Sequence, residues 1–386
     1  MSIGTTDLLY KQKPHYELLD GLRGVAALLV IWYHFFEGFA TSGVDQKFNH
    51  GYLAVDFFFV LSGFVIGYAY DDRWKKGMTR SNFILRRIIR LQPMVVMAVV
   101  LGVIAFIIQG CEHWDHTKVP VWAIVVSFVM GLFMIPALPG TEPDVRGNGE
   151  AFPLVGPAWS LFFEYIGSIL YAVWLHSLTT KALRVVVICC AVGLSFVALT
   201  DMSGAYSLGV GWSMGEWGFF GGLMRLGFSF GIGLLMSRGF KPVKIRGAFW
   251  ICALMMAILM CMPYVTPTGE ASVWNAVYDL ICTLFLFPCI VYLGASGKTT
   301  DRKSEKICGF LGVISYPIYI IHYPAMYLFY SWVWNNGYSY SQVWPVTMVI
   351  FVVLIPLAFF FVKCYDEPIR RRLTAKLKSR EATKNS

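Results

Sequence analysis

Long apolar stretches separated by short polar connections make up most of this 386-residue chain. Each stretch is long enough to cross the roughly 30 Å hydrocarbon core of a bilayer as a helix. None shows the strict alternation of apolar and polar residues that is typical of a barrel strand. The pattern therefore predicts a bundle of membrane helices. The eleven stretches are residues 18–40, 52–70, 93–110, 121–138, 157–176, 183–200, 219–237, 247–264, 274–294, 309–330 and 343–362.

Composition narrows the class of protein further. Hydrophobic residues make up 57% of the chain and charged residues only 14%, against roughly 25% charged residues in soluble domains. A soluble enzyme, a secreted disulfide scaffold and a disordered chain are therefore excluded. Six of the nine cysteines lie inside apolar stretches, where cysteine behaves as a small hydrophobe. The net charge of +9 does not indicate nucleic acid, because in a membrane protein the distribution of basic residues matters more than their sum.

Basic residues predict the orientation, because short loops rich in Lys and Arg stay on the cytoplasmic side. If all eleven stretches cross, 10 basic residues fall inside and 20 outside. If residues 121–138 do not cross, 27 fall inside and 3 outside. We therefore predict an all-α polytopic protein of the cytoplasmic (inner) membrane, with about ten transmembrane helices and one re-entrant or interfacial helix at 121–138. Both termini are expected in the cytoplasm. The chain divides into a cytoplasmic segment 1–17, a single transmembrane domain 18–362 and a basic cytoplasmic tail 363–386.

The first stretch carries ionisable residues, which are costly in a membrane and usually functional. Arg23 and His34 are eleven residues apart, so on a helix they lie about 16 Å apart along one face, only about 20° apart in azimuth. Asp20 and Glu37 each lie three residues from one member of this pair, close enough to touch it. The simplest interpretation is one polar stripe along the helix. A structural ion pair with a separately satisfied histidine is the alternative.

Polar residues in two other stretches extend the candidate site. Asp56 begins the second stretch at a depth similar to His34 and could orient its imidazole. The Ser62-Gly63 pair that follows is read as ordinary close packing of helices. Glu164 lies one turn from Ser160, where it could bind an acceptor hydroxyl or make a hydrogen bond between helices.

Two further clusters complete the set of candidate residues. His322 lies mid-span near Tyr316 and Tyr319, a grouping that suits a polar cavity or a packed aromatic seam. Arg87 and Arg90 lie three residues apart on one face at the start of the third stretch. Guanidinium groups bind phosphate bidentately, so this pair fits an anionic ligand, although a topological anchor has the same composition. The segment CEHWDH at 111–116 lacks the spacing of a closed metal site, and we expect no metal.

Five short motifs occur in order along nearly the full chain. They are a basic residue, ten others and His (Arg23 to His34), LAVDFFFVLSGF at 53–64, Arg-x-x-Arg at Arg87 and Arg90, WSL-x-x-E ending at Glu164, and SY-x-x-Y-x-x-H ending at His322. In this order they resemble the acyltransferase-3 family of integral-membrane acyltransferases, which modify carbohydrates and some small molecules. Two positions depart from the family pattern. Its closing Glu-x-Pro is Asp366-Glu367-Pro368 here, and an aromatic residue often found after the Arg-x-x-Arg proline is Met94.

The resemblance implies an acyl-CoA co-substrate, with acetyl as the expected acyl group, that is delivered from the cytoplasm, and no bound cofactor. Arg87 and Arg90 would hold the phosphates of CoA, and His34 would act as general base toward the acceptor hydroxyl. Arg23 would help to position the donor. A variant in which the acyl unit is carried covalently by the enzyme stays open. The other candidates, which orient His34 or line the acceptor side, are Asp56, Glu37, Ser160, Glu164, Tyr316 and His322.

The expected acceptor is a hydroxyl of a cell-surface or lipid-linked carbohydrate. Four tryptophans near the predicted outer ends could stack on sugar faces or anchor the protein at the membrane interface. They are Trp159, Trp212, Trp217 and Trp334. A polysaccharide exporter or transporter is the alternative from another class, and an acyltransferase acting on a small molecule or lipid shares the same chemistry. The expected partners are acyl-CoA, the carbohydrate and the lipid bilayer, with homo-oligomerisation left open.

Overall fold

A computed structural model gives the fold of residues 16–243, 245–297 and 301–385, with side chains up to residue 381. Within these ranges the chain is built from helices and irregular loops. The helices are α1 Glu17–Glu37, α2 Ala54–Lys75, α3 Arg80–Ile108, α4 Val121–Leu132, α5 Ala158–Val173, α6 Thr180–Leu199, α7 Gly218–Gly239, α8 Ala248–Met260, α9 Val273–Ile281, α10 Phe287–Ser296, α11 Arg302–Asn336, α12 Tyr340–Phe361 and α13 Glu367–Asn385. A 3-10 turn at Asn49–Leu53 leads into α2, and π-helical turns at Cys282–Leu286 and Val362–Asp366 join α9 to α10 and α12 to α13.

The predicted class, an all-helical polytopic membrane protein, is confirmed. Eight helical segments of the described chain are long and apolar enough to cross a membrane. The three shorter apolar helices are α4, α5 and α8. Helix α4 has 12 residues and so extends about 18 Å, well short of the roughly 30 Å core. The apolar stretch 121–138 is therefore interrupted after Leu132. The number of crossings and the orientation stay predictions, and most of the predicted segment 1–17 lies outside the described residues.

Glycines bring the central helices into backbone contact. A side chain on Gly24 of α1 would overlap the carbonyl group of Leu311 in α11. A side chain on Gly63 of α2 would overlap the carbonyl group of Phe230 in α7. Small residues at such crossings are how membrane helices approach each other closely. The interpretation of Gly63 as a packing residue is thus supported, and α1 and α11 meet along the length on which their polar residues lie.

Candidate functional site

Three cavities that share lining residues lie in succession within the helix bundle. A vestibule of about 1030 Å³ shares Arg23, Arg90 and Tyr316 with a narrow passage of about 80 Å³. The passage shares Tyr319 with a third cavity of about 320 Å³, here called the outer cavity, which contains His34. Arg23 and His34 both line this series of cavities. The expectation that they share one helix face therefore holds.

Charged residues from several helices converge on the vestibule. Some are paired within the protein: Asp20 lies 3.2 Å from Arg23, and Asp366 lies 3.0 Å from Arg370. Others are not. Within the described part of the chain, three vestibule cations have side chains with no hydrogen bond or ion pair. These three, which remain available to an anionic ligand, are Arg90, Arg302 and Lys306.

A partly buried ion pair lies in the passage. The Nη2 group of Arg87 binds Oε1 of Glu164, and its Nε group donates to Ser168 Oγ at 3.2 Å. Glu164 also accepts a hydrogen bond from Ser62 Oγ at 3.0 Å. Two expectations are corrected: Arg87 is paired with Glu164 and does not form a free phosphate fork with Arg90, and Glu164 lines the passage, not the outer cavity that contains His34. The reason is depth, because Arg87 lies about 10 Å from the start of α3, where the nearest counter-charge is the α5 carboxylate.

A neck separates the passage from the outer cavity. The hydroxyl groups of Ser160 and Tyr319 lie 2.8 Å apart, and Ser160 Oγ also donates to the carbonyl oxygen of Pro157 at 2.9 Å. On the passage side, the Tyr316 hydroxyl donates to the Leu91 carbonyl oxygen at 2.6 Å. These bonds hold the side chains in place. Ser160 therefore shapes the neck, and Tyr316 lines the route toward it.

The outer cavity contains a histidine–carboxylate pair. His34 Nδ1 lies 2.7 Å from Glu37 Oε2, and the pair is only partly buried. The Tyr330 hydroxyl donates to the same carboxylate oxygen at 3.1 Å. Because a carboxylate can only accept here, Nδ1 carries the proton and Nε2 keeps a lone pair. The arrangement can accept a proton from a hydroxyl group that enters the cavity.

Asp56 has a different partner from the one expected. Its carboxylate lies 2.6 Å from Nη2 of Arg225 in α7, and both side chains are fully buried. Arg225 also donates to the carbonyl oxygens of Val210 and Tyr52, at 2.8 and 3.0 Å. Asp56 therefore does not orient His34, and Glu37 does. An arginine within an apolar stretch needs a buried acid as its partner, so the position of Arg225 in the sequence was the signal for its pairing with Asp56.

We expected His322 to line a polar cavity, but it packs beside His34 and is not among the residues that line the outer cavity. It is fully buried, and its Nδ1 atom bonds the Ile318 carbonyl oxygen at 3.2 Å. Its Nε2 atom has no partner among the described residues. The two imidazole rings have centroids 5.3 Å apart. His322 can thus influence His34, but it exposes no surface to an acceptor.

Loops supply the rest of the outer cavity. Three of the four predicted tryptophans line it, whereas Trp217 lies outside its lining. Sequence reasoning missed Trp114, Asn148 and Glu150, which come from the loops before α4 and α5. Loops have no hydrophobic period, so no pattern marked these residues. They line the cavity because their loops pack against α1 and α11, a contact that the sequence does not show.

Comparison with known proteins identifies relatives. The family model described as an acyltransferase domain matches residues 16–363. Protein 2 in the picA locus of Rhizobium radiobacter is 37% identical over 188 residues, 47% of this chain and 93% of that protein. A Staphylococcus aureus protein with a provisional name as an O-acetyltransferase is 24% identical over 378 residues, 94% of this chain.

A third relative matches over a shorter segment of the chain. The peptidoglycan O-acetyltransferase OatA of Listeria monocytogenes is 36% identical over 88 residues, 22% of this chain and 13% of that protein. The chain spans only 58% of the length of the Staphylococcus relative. No solved structure matches the chain.

Proposed function

The chain belongs to the acyltransferase-3 family, whose domain covers residues 16–363, and from this premise we propose that it transfers an acyl group, expected to be acetyl, from cytoplasmic acyl-CoA to a carbohydrate hydroxyl. The names of two relatives, which refer to O-acetyl transfer and to peptidoglycan, support a carbohydrate acceptor. The observation that carries the proposal is the succession of cavities from the vestibule, where Arg90, Arg302 and Lys306 have no partner among the described residues, to His34. The proposal places the vestibule and both termini on the cytoplasmic side of the inner membrane.

The vestibule would bind the donor. CoA is polyanionic, and Arg90, Arg302 and Lys306 offer three cations without internal partners to its phosphates. Arg90 lies where the vestibule meets the passage, so a phosphate held there directs the flexible pantetheine arm inward. Arg23 lines the same junction and would position the arm. Arg87 contributes by keeping Glu164 neutralised beside that route.

The acyl group would be transferred at the neck. The thioester passes Tyr319 and Ser160 and meets the acceptor hydroxyl beside His34. His34 Nε2 takes the hydroxyl proton while the oxygen attacks the thioester carbonyl carbon. The carbon–sulfur bond then breaks, and the departing CoA thiolate takes the proton back from His34. Glu37 stabilises the imidazolium that exists between these steps.

The small volume of the passage favours acyl transfer over polysaccharide export. Its volume of about 80 Å³ compares with roughly 300 Å³ or more for sites that enclose small molecules. A slim thiol arm fits such a space, whereas a sugar chain does not. Export of a sugar chain would need the passage and the neck at Tyr319 and Ser160 to open much wider than a thioester arm requires.

The test uses the full chain, purified into lipid nanodiscs, with labelled acetyl-CoA and a membrane glycan extract as acceptor. Wild type should release CoA and label the glycan, and His34→Gln should lower both rates by about 10²–10⁴-fold. His116→Gln is the matched control, because His116 is an exposed outer-loop residue whose neighbour is Glu112. Labelling that survives His34→Gln would remove His34 as the base. Absence of CoA release from wild type would contradict the proposed function itself.

A further inference from the structure

The lining of the outer cavity has an unequal charge. Glu37 and Glu150 are both among its lining residues. Arg225 is the one Arg or Lys side chain among the described residues that line it. That guanidinium is already bound to Asp56 and to two backbone carbonyl oxygens. An anionic group in the cavity would therefore meet two acids and no Arg or Lys side chain that is free to pair with it.

Glu150 is held in a fixed position by its neighbours. Its Oε2 atom accepts a hydrogen bond from the Tyr327 hydroxyl, and Oε1 accepts from Asn148 Nδ2 at 3.0 Å. Arg146 stacks on the ring of Tyr327, with its guanidinium carbon 3.3 Å from the ring centroid. The backbone of Glu150 pairs with that of Ser213 in the loop before α7. The carboxylate is thus prearranged, which lowers the entropy cost of binding a ligand.

Aromatic rings form the remaining wall. The indole N–H of Trp212 donates to the Gly209 carbonyl oxygen at 3.0 Å, and that of Trp334 donates to the Gly38 carbonyl oxygen at 2.8 Å. Since both N–H groups are satisfied internally, the two rings offer the ligand only flat apolar surface. Fixed aromatic faces beside a few polar groups suit a ring that has apolar faces and a hydroxylated edge. A sugar ring has this character.

We propose that the outer cavity is the acceptor site for an uncharged sugar ring and that Glu150 is its specificity-determining residue. This inference rests on the proposed function and adds the substrate class. Glu150 accepts hydrogen bonds from ring hydroxyls. Together with Glu37 it excludes sugars that carry a carboxylate, phosphate or sulfate, because juxtaposed like charges suppress wrong partners.

The experiment compares matched neutral and acidic acceptors. The full chain in nanodiscs receives labelled acetyl-CoA and methyl glycosides of glucose, galactose and N-acetylglucosamine, beside methyl glucuronide and galacturonide. Wild type should prefer a neutral glycoside over its uronide by at least about 100-fold in kcat/KM. Glu150→Gln should reduce this preference at least about tenfold, with the KM for acetyl-CoA unchanged. Glu112→Gln, in a neighbouring outer loop and paired with Lys118, should behave as wild type.

A second variant distinguishes a loss of charge from a folding defect. Glu150→Asp keeps the charge and should keep the exclusion of uronides while raising the KM for the neutral sugar. Equal acetylation of uronide and neutral glycoside by wild type would overturn the inference, as would an unchanged preference in Glu150→Gln. It would also fail if no neutral glycoside is acetylated while the membrane glycan extract is labelled. If no acetyl-CoA is consumed with any acceptor, the proposed function fails instead.

Discussion

His34 Nδ1 lies 2.7 Å from Glu37 Oε2, one helical turn further along α1. The Tyr330 hydroxyl of α11 lies 2.6 Å from the His34 carbonyl oxygen and 3.1 Å from this carboxylate oxygen, and its one proton can be donated to either. One side chain from α11 therefore fixes both members of a pair that α1 supplies. The imidazole has a set tautomer with its Nε2 lone pair free, which is what a general base requires.

Glu37→Gln should impair chemistry without impairing donor binding. An amide keeps the size of the side chain but removes the charge that stabilises the imidazolium. We expect kcat to fall by about 10² or more, with the KM for acetyl-CoA unchanged because the proposed site of the donor phosphates is the vestibule. Steady-state kinetics measure both. Glu142→Gln, an exposed change in the loop between α4 and α5, is the control. A rise in KM alone would assign Glu37 to donor binding.

Part of this site follows from local geometry and could be predicted. The positions of Arg23 and His34 on one face depend only on the rotation of about 100° per residue. Contacts between neighbours on one helix, such as His34 with Glu37, follow from the same geometry. No other helix needs to be placed for these predictions, and the structure agrees with them.

The partners of the other candidates depend on how helices cross. Asp56 meets Arg225, 169 residues later in the chain, because Gly63 lets α2 and α7 touch. Arg87 meets Glu164, 77 residues later, because α3 and α5 bring them to the same depth. Sequence spacing carries no information on such contacts. For Glu150 even the secondary structure gave no guide, because its position is set by loop contacts with Tyr327 and Ser213.

Arg90→Ala should weaken donor binding and spare the chemical step. Loss of one charged hydrogen bond to phosphate corresponds to a rise of about 10–100-fold in the KM for acetyl-CoA. A short donor without phosphates, S-acetyl-N-acetylcysteamine, should be used equally well by variant and wild type. Arg80→Ala removes an exposed cation from the same helix outside the vestibule, and it serves as the control. Equal losses with both donors would place Arg90 in the catalytic step instead.

Asp56→Asn should destabilise the fold. It leaves the buried Arg225 without its counter-ion, which costs about 3–5 kcal/mol when one partner of a buried pair is removed. Replacing both, Asp56→Leu with Arg225→Met, should recover much of this stability. Thermal unfolding in detergent measures the differences. Arg371→Met breaks an exposed pair with Glu367 and should cost at most about 1 kcal/mol. A tolerated Asp56→Asn would show that the pair is not a stabilising anchor.

Glu150→Gln should make the fold more stable at neutral pH. Burial raises the pKa of Glu150, although Arg146, Tyr327 and Asn148 each oppose the shift. A group with a raised folded-state pKa contributes stability that is present at low pH and lost as the pH rises through that pKa. Glutamine stays neutral and avoids this loss. Melting curves should therefore show Glu150→Gln above wild type at pH 8, with the difference shrinking as the solution is acidified.

Glu112 provides a control, because its pKa is shifted in the opposite direction from that of Glu150. Lys118 is the main cause that lowers the pKa of this exposed carboxyl, with His116 adding to it. Its contribution to stability is present at neutral pH and lost on acidification, so Glu112→Gln should not raise the melting temperature at pH 8. A gain in stability at Glu150 alone, together with lost discrimination between sugars, is what a residue retained for binding should show. If Glu150→Gln melts below wild type at pH 8, the carboxylate serves to hold the loop, and its role in acceptor selection loses this support.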